Sequence, residues 1–339
     1  MSALTRRQFT RSLLAGAAAT GGGLLLGRSA AAEPTIVVGG GPAGAAAALA
    51  LRRARPGVPV LLIERDPGGL AGAAPKGSDA PFAKPAPRLD AARLREAGVD
   101  IALDEVVGVD WRAGRLDLFS GRRIGFGRLV LAPGAAPCDE AIPGLDARAR
   151  HLWPAAWGGV REARRLAAAL DALPARGHVA LRLPPGPISH PEVALRRAVD
   201  LADFLARRRP HGRLTVLDGG PNPEVEAGFH RLFARGGPRV DVDWRTASRG
   251  GTVLAVDAER GALETDAGRI RADVVNFAPL QGAGRIARVA GLVDASGWCP
   301  CDAGGRSEIR SDVLILGDAR KHARRTEASA VGSIAGAAL

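Results

Sequence analysis

The stretch Thr35-Ile36-Val37-Val38-Gly39-Gly40-Gly41-Pro42-Ala43-Gly44 decides the fold. Its first four residues form a short β-branched run, the pattern of a strand buried in a parallel sheet. Glycines at 39, 41 and 44 keep the G-x-G-x-x-G spacing, and an alanine-rich helix follows to about Arg55. The first glycine permits a tight turn and the second lets backbone approach a pyrophosphate. The third lets the helix pack closely on the strand. The helix start, with Ala43 in its first turn, offers N–H groups and a positive dipole end to phosphates. A second strand, Val60-Leu61-Leu62-Ile63, ends in Glu64, placed to accept the ribose hydroxyls of an adenosine. Strand, glycine turn, helix, strand and acid together read as a dinucleotide cradle.

Two further runs bear on which dinucleotide it holds. Leu129-Val130-Leu131-Ala132-Pro133-Gly134 is a hydrophobic strand ending in a small-residue turn. It resembles the point where flavoproteins with two dinucleotide domains leave their FAD domain. Ser311-Asp312-Val313-Leu314-Ile315-Leu316-Gly317-Asp318 is another buried strand, ending in Gly-Asp. In such flavoproteins the equivalent aspartate bonds the ribityl and pyrophosphate region; a plain helix N-cap is the other reading of Asp318. Ala132, Gly134, Gly317 and Asp318 join the candidate cofactor residues, and FAD is the better assignment than NAD.

Between these runs the same rhythm repeats. Strand His178 to Arg182, helix Glu192 to Arg207 and strand Leu214 to Leu217 lead to Asp218, and Ala272 to Pro279 closes the unit. Where a pyridine nucleotide needs a glycine turn, the sequence reads Leu183-Pro184-Pro185-Gly186-Pro187. Proline has no N–H for a phosphate and its ring obstructs close approach, which disfavours NAD(P)H there. The expected fold class is α/β with two Rossmann-like domains, the FAD domain discontinuous and the second inserted. Residues 33–150 form the first part of the FAD domain, 151–283 the second domain, and 284–339 the returning part.

Residues 1–32 are set aside as a targeting segment. Thr5-Arg6-Arg7-Gln8-Phe9 is a twin-arginine pattern, Leu13 to Leu26 a weakly apolar stretch, and Ala30-Ala31-Ala32 a small-residue cleavage site. An ordinary secretory n-region is the alternative. Twin-arginine export carries folded proteins, so the expectation is a periplasmic protein that acquires its cofactor first.

The 339 residues are 46% hydrophobic, too apolar for a disordered chain, and the length suits two domains. No run of about 18 apolar residues marks an integral membrane span. The net charge of +12 suggests nucleic acid, but lysine occurs only at 76, 84 and 321 and the arginines are scattered. A phosphate-tracking stripe would interleave basic and aromatic residues, so nucleic-acid binding is not expected. Removing residues 1–32 takes four arginines and no acid, which lowers the charge from +12 to +8.

Together these residues resemble the flavoprotein subunit of flavocytochrome c sulfide dehydrogenase, a relative of sulfide:quinone oxidoreductase. The resemblance runs from about residue 35 onward. It rests on Val37 to Gly44, Glu64, Ala132-Pro133-Gly134, Pro143-Gly144, Ala156-Trp157 and Leu217-Asp218. It continues through Asp273 to Pro279, Ala290-Gly291-Leu292, Gly297-Trp298-Cys299-Pro300 and Ile315 to Ala319. The resemblance implies an exported FAD enzyme that oxidises a small sulfur compound and passes electrons to a c-type cytochrome. No Cys-x-x-Cys-His occurs here, so a cytochrome subunit or soluble cytochrome c would be a separate chain.

The departures concern cysteine. The family pairs two redox cysteines at the flavin; by a gap-free count one falls at His190 and the other is Cys299. The family's flavin-attachment cysteine falls near Gly72, and no cysteine lies between Glu64 and Pro137, which implies non-covalent FAD. The family's usual C-terminal extension is not found after Asp318. His190 and Cys299 are the candidate catalytic pair, the imidazole taking the thiol proton to leave a reactive thiolate. The plainer readings are a solvent-facing loop histidine and a small buried cysteine under Trp298. Cys138 reads as a bystander, and Cys299-x-Cys301 is poor both for a disulfide and for a metal site. Besides a sulfide dehydrogenase, the sequence admits an NAD(P)H-dependent flavin reductase or a degenerate, non-catalytic flavin-binding protein.

Overall fold

Five short apolar runs, drawn from both ends of the chain, line up as one parallel sheet. The computed structural model describes residues 33–70, 89–157, 160–186, 191–234 and 240–321. Residues from Glu33 onward group as one compact unit. The segment 1–32 and His190 lie outside the described residues.

The chain begins with β1 (Thr35–Val38), α1 (Pro42–Ala54), β2 (Val60–Glu64), α2 (Ala91–Glu96) and β3 (Asp100–Leu103). An antiparallel sheet follows, β4 (Val106–Asp110), β5 (Arg115–Leu118) and β6 (Arg123–Gly125), and then β7 (Arg128–Leu131) returns to lie beside β1. After β8 (Ala135–Pro137), α3 (Ala147–Leu152) and α4 (Val160–Asp171), the plan repeats. The second round runs β9 (His178–Arg182), α5 (Pro191–Arg208), β10 (Arg213–Asp218), α6 (Pro223–Ala234) and β11 (Asp241–Thr246). Antiparallel β12 (Val253–Asp257), β13 (Ala262–Thr265) and β14 (Gly268–Arg271) precede β15 (Val274–Phe277) beside β9. The chain goes back through β16 (Gln281–Ala283) and α7 (Arg285–Val289) to β17 (Val313–Ile315), which pairs with β7. The parallel sheets have the orders β17-β7-β1-β2-β3 and β11-β10-β9-β15.

All four residues of β1 are buried because the strand is covered on both faces. Ile36 and Val38 enter one core with Leu129, Leu131 and Ile315, while Val37 enters another with Leu62 and the α1 residues Ala47, Ala48 and Leu51. Alternation along a strand sends neighbours to opposite faces. On α5, Ala194, Ala198, Leu201, Ala202 and Leu205 recur at helical spacing and are the buried stripe against the second sheet. Glu192 in its first turn and Arg207 and Arg208 in its last complement the helix dipole.

A buried polar network fixes the approach to α4. The Arg197 guanidinium donates to the Asn276 side-chain oxygen at 2.8 Å and to the Ala156 carbonyl at 2.6 Å. The Asn276 amide donates to the carbonyls of Pro154 and Ala155 at 2.7 and 2.8 Å. These bonds hold Ala156 at φ +53, a left-handed value that alanine seldom adopts. Burial brings Arg197 down to about 10. Among the described residues no helix is long and apolar enough to cross a membrane.

Candidate functional site

The carboxyl ends of β1, β2, β7 and β17 meet at the switch point of the first sheet, where β1 connects to one side and β7 lies on the other. Ligands of open α/β sheets bind in such crevices. Each glycine of the opening turn has its own surroundings. Gly39 has φ +104, and a Cβ there would lie 2.2 Å from the Ala132 carbonyl oxygen. A Cβ on Gly44 would lie 1.8 Å from the Gly39 oxygen, so helix and turn touch backbone to backbone. Gly41, at φ −64, is open: a Cβ there would meet nothing within 4 Å.

The start of α1 faces the same opening. Gly41 is its N-cap, Pro42 its first residue, and no side chain caps it and no acid sits in its first turn. Ala43 touches the returning part of the chain, since a Cβ on Gly317 (φ +74) would lie 2.9 Å from the Ala43 Cβ. That contact brings the turn Gly317–Ala319, with half-buried Asp318, against the cradle. At the end of β2, Glu64 accepts from the Gly40 N–H through one oxygen and from the Asp66 N–H, at 2.7 Å, through the other. Ala132 donates its N–H to Val38 at 2.8 Å, and the Gly134 carbonyl accepts from Gly284 at 2.8 Å. Gly39, Gly41, Ala43, Gly44, Glu64, Ala132, Gly134, Gly317 and Asp318 are thus gathered at one end of one sheet. An open space at Gly41, an uncapped helix start and a carboxylate at the next strand end fit the phosphates and ribose of a bound FAD.

The second sheet is built on the same plan but carries a different turn after its first strand. Leu183 and Pro184 are buried directly after β9. A Cβ on Gly220 would lie 2.8 Å from the Pro184 oxygen, which shows how tightly the turn after β10 is covered. Asp218 holds the position on β10 that Glu64 holds on β2, yet it is buried and its Oδ1 has no hydrogen-bond partner. Burial pushes its carboxyl up to about 6. Pro184 and Pro185 have no N–H for a phosphate, and Asp218 is enclosed and shorter than Glu64, which disfavours a pyridine nucleotide here.

Of the three cysteines, Cys299 has surroundings unlike those of the reactive thiolate the resemblance implied. Cys299 has no exposed surface and packs in the core with Ile36, Leu129 and Ile315. Its N–H donates to the Ala319 carbonyl at 2.9 Å, and its carbonyl accepts from Lys321 at 2.8 Å. Burial, with Cys301 and Asp294 adding to it, pushes the Cys299 thiol up to about 12. The sequence suggested a thiolate beside the flavin; the surroundings described here hold a protonated core thiol. Cys301 is half-buried and pushed up to about 11 by burial. Cys138 is half-buried with the Arg288 guanidinium 3.4 Å from its sulfur. All three cysteines are free. Iodoacetamide at about pH 8 is therefore expected to alkylate Cys138 first and to leave Cys299 unmodified until the protein unfolds. Peptide mass spectrometry checks this, and rapid native labelling of Cys299 would contradict its burial.

Two family models match adjoining parts of the chain. Residues 33–165 match the pyridine nucleotide-disulphide oxidoreductase model, and residues 163–279 match the central part of the sulfide dehydrogenase (flavocytochrome c) flavoprotein chain. Among solved structures, the sulfide:quinone oxidoreductase of Aquifex aeolicus aligns with TM-score 0.65 at 19% identity, covering 86% of this chain and 69% of that one. A ferredoxin reductase from Rhodopseudomonas palustris aligns with TM-score 0.66 at 18% identity, covering 90% and 76%. Reduced CoADR-RHD of Bacillus anthracis aligns with TM-score 0.63 at 18% identity, covering 91% of this chain and only 56% of that one. At these identities the structures speak for the fold. The two family models make adjoining parts of the chain similar to the pyridine nucleotide-disulphide oxidoreductases and to the central part of the flavoprotein chain of flavocytochrome c sulfide dehydrogenase.

Proposed function

We propose that the chain is an exported flavoprotein that oxidises a reduced sulfur compound and passes the electrons to a cytochrome c. The observation that carries this reading is the contrast between the two halves. The first holds an open cradle at Gly41, and the second, matching the sulfide dehydrogenase central segment, carries Pro184-Pro185 where a pyridine nucleotide needs a glycine turn. A flavin enzyme without a pyridine-nucleotide site takes its electrons from a small donor. FAD, when bound, supplies a carrier that accepts two electrons together and releases them singly, which suits a haem acceptor.

The chain's own residues supply binding and orientation. The N–H groups at the start of α1 face the pyrophosphate, with Gly39 and Gly44 keeping turn and helix in contact. Glu64 takes the ribose hydroxyls, and Gly317 and Asp318 approach from the returning strand. Non-covalent attachment is supported by the absence of any cysteine between Glu64 and Pro137. Export to the periplasm is supported by Arg6-Arg7 and the small residues Ala30-Ala31-Ala32. In this reading Cys299 serves packing.

Purified mature protein is expected to be yellow, and acid precipitation should release all its flavin into the supernatant. Sulfide should bleach the flavin band, NADH should not, and added cytochrome c should restore the band. A yellow pellet would overturn non-covalent binding. Bleaching by NADH alone would make the chain a flavin reductase, and bleaching by neither would leave a flavin-binding protein without this chemistry.

A further inference from the structure

Both chain crossings between the two parallel sheets converge on one buried ion pair. Outward from the first sheet, β8 leads to Glu140; inward from the second, β15 leads through Ala278 and Leu280 to β16. The two crossings pair as an antiparallel ladder, Ala135 with Ala283 and Pro137 with Gln281. Cys138 extends it by donating its N–H to the Leu280 carbonyl at 2.8 Å. Beyond that bond the ladder ends and side chains take over. The Glu140 Oε1 accepts from the Leu280 N–H at 2.7 Å and from Arg182 at 3.0 Å, and its second oxygen pairs with the same guanidinium. Arg182, the last residue of β9, also donates to the Ala278 carbonyl at 2.7 Å and lies 4.5 Å over the Phe277 ring. The two side chains are 4% and 7% exposed, so removing either partner leaves the other stranded away from water.

We propose that Glu140 and Arg182 form an interdomain clasp, a conformational device that ties the second sheet to the crossings carrying the flavin cradle. Three observations support a clasp over ordinary core filling. The pair joins a crossing to a sheet end, and it sits between the two domains. One side of it opens on a cavity of about 360 Å³ lined also by Ile142, Pro185, Thr252 and Leu280, so close packing does not fix that side. The crossings end at the cradle itself, because Gly284, just after β16, donates to the Gly134 carbonyl. A rotation of the second sheet would reach the cradle through those few residues. Buried charges of this kind give orientation more than stability, since apolar replacements of similar volume often cost little.

The test follows the unfolding of flavin-loaded protein by far-ultraviolet circular dichroism and by flavin fluorescence in the same samples. In wild type the two curves are expected to coincide, one cooperative unit carrying both domains. Glu140→Leu strands the guanidinium, and the midpoint should fall by roughly 5–10 °C with the curves separated. Glu140→Leu with Arg182→Leu removes the stranded charge. Its midpoint should return toward wild type while the curves stay apart and the apparent FAD affinity stays several-fold weaker. A purely structural pair would recover both. Glu140→Gln, which keeps an acceptor for Leu280, guards against misfolding and should show the same separation at smaller amplitude. Coincident curves in the double variant and in Glu140→Gln would overturn the clasp.

Discussion

Gly41→Val is expected to give a folded apoprotein with an unchanged melting temperature that no longer retains FAD, whereas Gly44→Ala is expected not to fold stably. The two positions lie in one turn and differ only in what surrounds them. Gly41 has φ −64 and ψ −178, which valine adopts without strain, and its Cβ would point into empty space. Among the described residues a Cβ there meets nothing within 4 Å, so the added side chain would displace a bound ligand. Pushing a pyrophosphate off the helix start removes charge-assisted hydrogen bonds of about 1.5–3 kcal/mol each. Losing two of them lowers affinity at least ~100-fold. At Gly44 even one methyl would lie 1.8 Å from the Gly39 oxygen, a distance no small adjustment relieves. Turn and helix must separate, and the cost exceeds the ~1–3 kcal/mol of ordinary overpacking. Flavin titration of the apoproteins and calorimetry check both. Full flavin occupancy in Gly41→Val would move the cofactor away from this cradle.

Asp218→Asn is expected to stabilise the protein at neutral pH, and only there. The folded protein raises the Asp218 carboxyl from 3.8 to about 6 by burial, with Glu226 adding repulsion. The Gly220 backbone N–H, its largest opposing influence, lowers the value without cancelling the rise. Because the folded value lies above the unfolded one, the native state favours the neutral acid. Its contribution is complete below 3.8 and is lost as pH rises toward 6. At about pH 7 the native carboxylate is penalised by about 3 kcal/mol relative to the unfolded one. Asparagine has no such ionisation. The melting temperatures should agree near pH 4 and diverge by about 5 °C at neutral pH. Equal slopes with pH in both proteins would show that Asp218 ionises as freely in the fold as out of it.

The first cradle was legible in the sequence because its determinants are local. A β-branched strand, glycines at fixed offsets and an acid at the next strand end all lie within Thr35 to Glu64, and each has a backbone reason. The second domain was legible as a rhythm: β9 and β10 carry the predicted runs, and α5 differs from its predicted span by one residue at each end. What sequence did not convey is enclosure. Glu64 and Asp218 follow similar apolar strands, yet one reaches the opening while the other is buried. Cys299 looked like half of a redox pair because spacing says nothing of the core on either side of it. The Glu140–Arg182 pair had no motif at all, since its partners come from different sheets. An acid just after the first domain's closing turn and an arginine ending an apolar strand were the available signals. Neither points to the other.

The pairing of β7 with β17 has a consequence for how the chain acquires its shape during synthesis. Leu129 takes its place beside Val37's strand early, but its other neighbour, Val313, emerges only after the whole second sheet has been made. Until then one edge of the first sheet stays bare, and Gly317 has not reached Ala43. Contacts so distant along the chain form slowly. The growing polypeptide therefore passes through a stage in which its second half is complete and its first half is not. A chain released early would carry a glycine turn that looks finished in sequence and lacks one wall.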